Sequence, residues 1–185
     1  MWFLTRSTAL VAFALLTATT VLGIATAGRV LVSPRWPRFA NQLLHRNLSL
    51  LGLALMCVHI VTAIADHYVP ISWWSVVVPG ASSYRTLGVT LGTLAFDLLL
   101  VVVMTSLARG RIVTMRNWRR VHWAAYGVWP LALLHFFRTG TDAGAGSFGA
   151  WAAFVAALAV SAAVVARVSA PQPRRSTTTR AVQPR

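Results

Sequence analysis

Lysine and glutamate are missing from this chain altogether, and only Asp66, Asp97 and Asp142 stand against its 17 arginines. Charged residues occupy 11% of the 185 positions, where an ordinary soluble domain carries about 25%. With 57% of the residues hydrophobic, a soluble globular domain is excluded. Cysteine occurs once, as Cys57, which excludes an internal disulfide framework, an iron–sulfur cluster and a dithiol redox centre. A Gly-rich dinucleotide loop is also lacking, and no internal repeat is visible.

What is present is a set of long apolar runs with arginine between them. A net charge of +14 suggests nucleic-acid binding at first sight. The placement of the arginines argues otherwise, because they lie between stretches each able to span a bilayer. We therefore expect no nucleic-acid partner and an all-α, polytopic transmembrane bundle of about five helices. The expected spans are Ser7–Ala27, Arg46–Ala65, Leu87–Ala108, Arg119–Phe137 and Phe148–Val168, within a membrane domain of residues 1–169. Between the second and third spans, His67–Thr86 offers only Ile71–Val78 as an apolar run, with Trp73 and Trp74 suited to the headgroup level. We read it as an interfacial loop with one helical turn. Residues 170–185 combine prolines, arginines and a Ser-Thr-Thr-Thr run without periodicity, and we expect a disordered basic tail.

Arginine placement sets the expected orientation. Arg29, Arg35, Arg38, Arg46, Arg109, Arg111, Arg116, Arg119, Arg120, Arg167, Arg174, Arg175, Arg180 and Arg185 fall on one side, and Arg6, Arg85 and Arg138 on the other. The positive-inside rule then puts the N-terminus outside and the C-terminus in the cytoplasm of a cell whose plasma membrane the chain crosses. A signal peptide ending at Ala25-Thr26-Ala27 is the competing reading of the first run. Cleavage there would leave Arg29, Arg35 and Arg38 outside, against the bias of every other loop, and the run is longer than such segments use.

Histidine inside a membrane helix is rare and marks a functional site by default. Four of the five histidines fall on two expected helices: His45 and His59 on the second, His122 and His135 on the fourth. One intervening span makes those helices parallel, so His45 lies level with His122, and His59 with His135. Partners on one helix are 14 and 13 residues apart, about 20 Å at 1.5 Å per residue. Two facing pairs stacked along the membrane normal are what axial ligation of two haem irons requires. Fourteen residues return within about 40° of the starting direction, but thirteen land about 140° away on a straight helix. Pro130 lies between His122 and His135 and offers a means of rewinding. The plainer reading, four unrelated interfacial histidines, fits His45 alone better than it fits four at matched depth. Zinc is the weaker alternative, because its sites want about four converging ligands.

The run Leu44-His45-Arg46-Asn47-Leu48 with Cys57-Val58-His59, and Trp118-Arg119-Arg120-Val121-His122 with Leu134-His135, resembles the ferric reductase-like transmembrane domain family. That family includes iron reductases, NADPH oxidases and the haem-binding membrane subunit of the bacterial methionine-sulfoxide reductase system. The resemblance covers about residues 7–168. It implies two b-type haems, with His45 and His122 holding the cytoplasmic-side iron and His59 and His135 the outer one. The chain differs in having five expected spans where many members have six, and in lacking their flavin and nicotinamide domain. Electrons would then come from a separate donor, a flavoprotein or a quinol, and pass to an extracytoplasmic acceptor or a separate reductase.

Among other polar residues, Arg138 follows His135 by three positions on the poorly basic side and is the expected partner of an anionic haem propionate. Arg46, Arg116, Arg119 and Arg120 need no such role, since the positive-inside bias accounts for them. Asp97 sits mid-span, as a proton or quinone contact or as a packing carboxyl bonded to Thr93 or Thr105. Asp66 and His67 are helix-end residues with a metal site as the alternative. A haem-free scaffold or transporter is the reading from another class, disfavoured by the scarcity of intramembrane charge.

Overall fold

The computed structural model describes residues 2–27, 37–66 and 69–170. Arg29, Arg35, His67 and the tail from Pro171, with Arg174, Arg175, Arg180 and Arg185, lie outside the described residues. Six α-helices follow one another: α1 (Trp2–Ala27), α2 (Arg38–Ala65), α3 (Thr86–Leu107), α4 (Met115–Trp123), α5 (Ala125–Thr139) and α6 (Phe148–Ser169). No β-strand occurs among the described residues. The chain is thus all-α, and α1, α2, α3 and α6 are each long and apolar enough to cross a bilayer.

The helices carry few polar groups, and several threonines satisfy their hydroxyls locally. Thr17, Thr20 and Thr26 of α1 donate their hydroxyls to the carbonyls one turn earlier at 2.7–2.9 Å, which hides the donors from an apolar surround. Ser147 caps α6, its Oγ accepting from the Ala150 amide at 3.2 Å. Both ends of α3 and α6 match expectation within one residue, and α1 and α2 end at Ala27 and Ala65 as expected, but α1 begins at Trp2 and α2 at Arg38, a full two turns before the expected Arg46. His45 therefore stands inside a regular helix and not at its frayed edge.

The fourth expected span, Arg119–Phe137, is realised as two helices. The break is at Ala124, whereas Pro130 is carried inside α5. Around the break the Ala124 amide bonds the Val121 carbonyl at 2.9 Å, and the Gly127 amide bonds the Ala124 carbonyl at 2.9 Å. These three-residue bonds advance the chain faster per residue than α-helical ones. The break lies six residues ahead of the proline, between His122 on α4 and His135 on α5.

α1 packs on α2, α5 and α6, and α3 packs on α5, while α2 meets α3 only sparingly. The small core lies at Ala95, Val128 and Ala132, flanked by Phe13, Leu16 and Leu98. Trp129 is buried, stacks on Phe13 at 6.1 Å and donates its indole N–H to Thr17 at 3.0 Å. Helices α3 and α5 approach closely because Gly88 and Gly92, one turn apart, face α5. A Cβ at Gly88 would lie 2.6 Å from the Thr139 methyl. The loop before α3 holds one 3₁₀ turn, Trp73–Val76, as expected, with Trp73 and Trp74 exposed. It is tied down by the Thr93 hydroxyl, which donates to the Ser75 carbonyl at 2.5 Å.

Candidate functional site: two histidine pairs across the bundle

The fold brings the four histidines together as two pairs. His59 of α2 faces His135 of α5 with ring centroids 6.5 Å apart, at the end of the bundle where α1 begins. His45 of α2 faces His122 of α4 with centroids 6.2 Å apart, at the opposite end. Two imidazoles on opposite sides of one metal ion, each bonded at about 2.0 Å, would have centroids about 6.3 Å apart. Both spacings meet that requirement.

Three of the four rings are oriented by the backbone of a neighbouring helix. The Nδ1 of His59 hydrogen-bonds the Thr5 carbonyl at 3.0 Å, and that of His45 the Thr19 carbonyl at 3.1 Å. The two acceptors repeat along α1 at the spacing of the two histidines along α2, as antiparallel neighbours must. His135 Nδ1 bonds the Gly88 carbonyl of α3 at 2.8 Å. A carbonyl can only accept, so each Nδ1 carries the proton and Nε2 keeps its lone pair. A metal-ligating histidine is commonly held by this outer-shell bond. α1 is therefore a working wall of the bundle, supplying the acceptor for both histidines of α2.

The rings lie against glycines. A Cβ at Gly92 would stand 2.6 Å from His135 Nδ1, and one at Gly23 would stand 3.3 Å from His45 Cε1. His122 differs from the others, for its Nδ1 is buried without a partner. Thr19 Oγ1, beside His45, is the other buried side-chain atom left unsatisfied among the described residues. The orphaned atoms thus both belong to the His45–His122 end. There the Trp118 ring lies 4.9 Å from His122 and is itself covered by the Arg109 guanidinium at 4.5 Å.

A cavity of about 320 Å³ lies between residues of α1, α2, α3 and α5, and His59 and His135 stand on its wall. Its size falls within the range of small-molecule and cofactor sites. Phe13, Met56, Phe96 and Phe136 make the wall largely apolar, and Arg6, Asp66, Tyr84 and Asp142 give it one polar end. Among the described residues no three histidine, cysteine or acidic side chains converge on one point. A metal ion at either pair would take two ligands from the chain and the rest from elsewhere. At the His59–His135 pair the residues present fit a haem: two imidazole nitrogens would hold its iron, the apolar wall would cover its macrocycle, and the polar lining residues would meet its carboxylates.

Arg138 is exposed and absent from the cavity wall; its main-chain carbonyl accepts from Arg85 Nη1 at 3.3 Å. Arg6, which arginine counting treated only as a topological charge, is on the wall. Asp97 shares a stripe of α3 with the exposed Leu94, Val101 and Met104. Neither expected partner reaches it: Thr93 serves Ser75, and the Thr105 hydroxyl donates to the Val101 carbonyl at 2.7 Å. Cys57 is exposed on α2. Comparison with protein-family models, with curated proteins and with solved structures gave no match to this chain.

Proposed function

We propose that this protein is a di-haem b cytochrome of the ferric reductase-like kind, passing electrons along the bundle axis between a donor at one membrane face and an acceptor at the other. The observation that carries the reading is the doubled geometry: two facing imidazole pairs at 6.2 and 6.5 Å, with three rings oriented through Nδ1 by carbonyls of adjacent helices and the Thr139 hydroxyl 3.4 Å from His135 Nε2. His45 and His122 would hold one haem b, and His59 and His135 the other. When bound, each haem supplies the one-electron redox chemistry.

The side chains hold and orient. Thr5, Thr19 and Gly88 fix the imidazole rotations through their carbonyls, and those bonds raise the basicity of the ligating nitrogens. Phe13 and Phe136, stacked at 6.2 Å, line the cavity beside His135. The pairs sit about 20 Å apart along α2, so one centre near each face makes transfer stepwise. No nucleophile or general base is needed. The arginine-rich end, at the face where the positive-inside rule places the cytoplasm, suits an anionic donor, and the other end delivers to an acceptor outside.

The test is the optical spectrum of the full-length protein, solubilised in detergent after expression with haem supply. The reading expects low-spin haem bands that respond to dithionite and two haem b per chain by pyridine haemochrome. A folded, helical protein with no Soret band under these conditions would overturn it.

A further inference from the structure

We infer that Arg6 receives a carboxylate of the ligand lodged between His59 and His135, in exchange for Asp142; this rests on the haem reading of that site. Arg6 is the one arginine among the described residues lining the cavity that holds both histidines. It lies one residue from Thr5, whose carbonyl orients His59, so the cation and the ligating ring are registered by the same turn of α1. Its guanidinium is presented edge-on to a carboxylate: Nε donates to Asp142 Oδ2 at 2.9 Å, and Nη2 is paired with the same oxygen. The Trp2 ring backs the guanidinium at 4.0 Å. Arg6 thus already holds a carboxylate oxygen on two of its nitrogens beside a largely apolar pocket, the charge-assisted pairing that a haem propionate would take up.

Asp142 is built to stay where it is. Its carbonyl accepts from Ser147 Oγ, and a Cβ at Gly149 would stand 2.6 Å from that same carbonyl oxygen. Asp66 adds a second carboxylate to the wall. Among the described residues of the wall two side chains are acidic and one basic, so an anionic ligand finds its favourable charge there in Arg6 and meets opposition from Asp142. The two partners of the salt bridge are thereby assigned opposite effects on binding. A bridge that merely ties α1 to the loop before α6 would give both substitutions the same effect.

The experiment titrates haem-depleted full-length protein with hemin and, separately, with hemin dimethyl ester, whose propionates carry no charge. Arg6→Gln should weaken hemin binding at the His59–His135 site about ten- to a hundred-fold, the weight of a hydrogen bond to a charged group. It should leave the ester's binding within a factor of two or so. Asp142→Asn should bind hemin as tightly as the wild type or more tightly. Equal losses for hemin and ester in Arg6→Gln, or a weakening by Asp142→Asn that matches it, would overturn the inference and leave the haem reading intact. Failure of both compounds to bind the wild type would instead overturn the haem reading. Should Arg6→Gln fold poorly, Arg6→Lys serves: a retained charge without the fork should lose part of the hemin preference and none of the ester binding. No change of either would count against the assignment.

Discussion

Gly92→Ala is a single methyl aimed at one ligand. The added Cβ would stand 2.6 Å from His135 Nδ1, 2.7 Å from Cε1 and 3.1 Å from Cγ. Restoring an ordinary contact of about 3.4 Å requires the imidazole or the helix to give by about 0.8 Å, and overpacking of this kind costs about 1–3 kcal/mol. The displacement also strains the 2.8 Å bond from Nδ1 to the Gly88 carbonyl, which is worth a further 0.5–1.5 kcal/mol or so. At tenfold per 1.4 kcal/mol or so, the His59–His135 site should bind haem about ten- to a thousand-fold more weakly. Gly23→Ala, with 3.3 Å to His45 Cε1, should cost the other site less, and Gly52→Ala, with 3.6 Å to the Leu15 Cβ, should cost neither. Hemin titration followed at the Soret band, with circular dichroism to confirm helix content, reads the series. Wild-type binding by Gly92→Ala, or an equal loss in Gly52→Ala, would refute the reasoning.

Asp97→Leu replaces the carboxyl on an exposed stripe of α3 that costs about 2.5–3.5 kcal/mol on insertion scales; it should raise the unfolding temperature in detergent and leave haem content unchanged, and a loss of folded protein would show that Asp97 has a partner. A reporter fused after Arg185 should be cytoplasmic and one placed in the Asp142–Ser147 loop extracytoplasmic, from the 14-to-3 arginine split; exchanged signals would reverse the direction of the chain. Dithionite should reduce the purified protein, whereas NADPH and NADH should not, since the 185 residues hold no dinucleotide loop; rapid direct reduction by either would contradict this.

The long apolar runs made the helices legible, because a bilayer imposes length and composition directly. Equal depth of the histidines was legible too, from their spacings and the parallel sense of α2 and α5. Their azimuth was not. It depends on how the backbone turns between His122 and His135, where the structure interrupts the helix at Ala124, a break that no proline or glycine at that position announces, and carries Pro130 inside α5. The supporting contacts were hidden for a different reason. Thr5, Thr19 and Gly88 act through main-chain carbonyls, which any residue supplies equally. Gly88 and Gly92 did carry a signal, a pair of glycines one turn apart in an apolar span, the pattern of close helix approach. The place of Arg6 on the cavity wall was not legible either: proximity to His135 along the chain favoured Arg138, and only packing brings the first turns of α1 to that cavity.

Pairing is the central claim, and haem counts on two double variants test it most directly. His59→Ala/His135→Ala removes both ligands of one site and should retain one haem per chain by pyridine haemochrome, because residues of a single site do not add. His59→Ala/His122→Ala breaks one ligand in each site and should retain none. Equal haem loss in the two variants would contradict the stacked pairs.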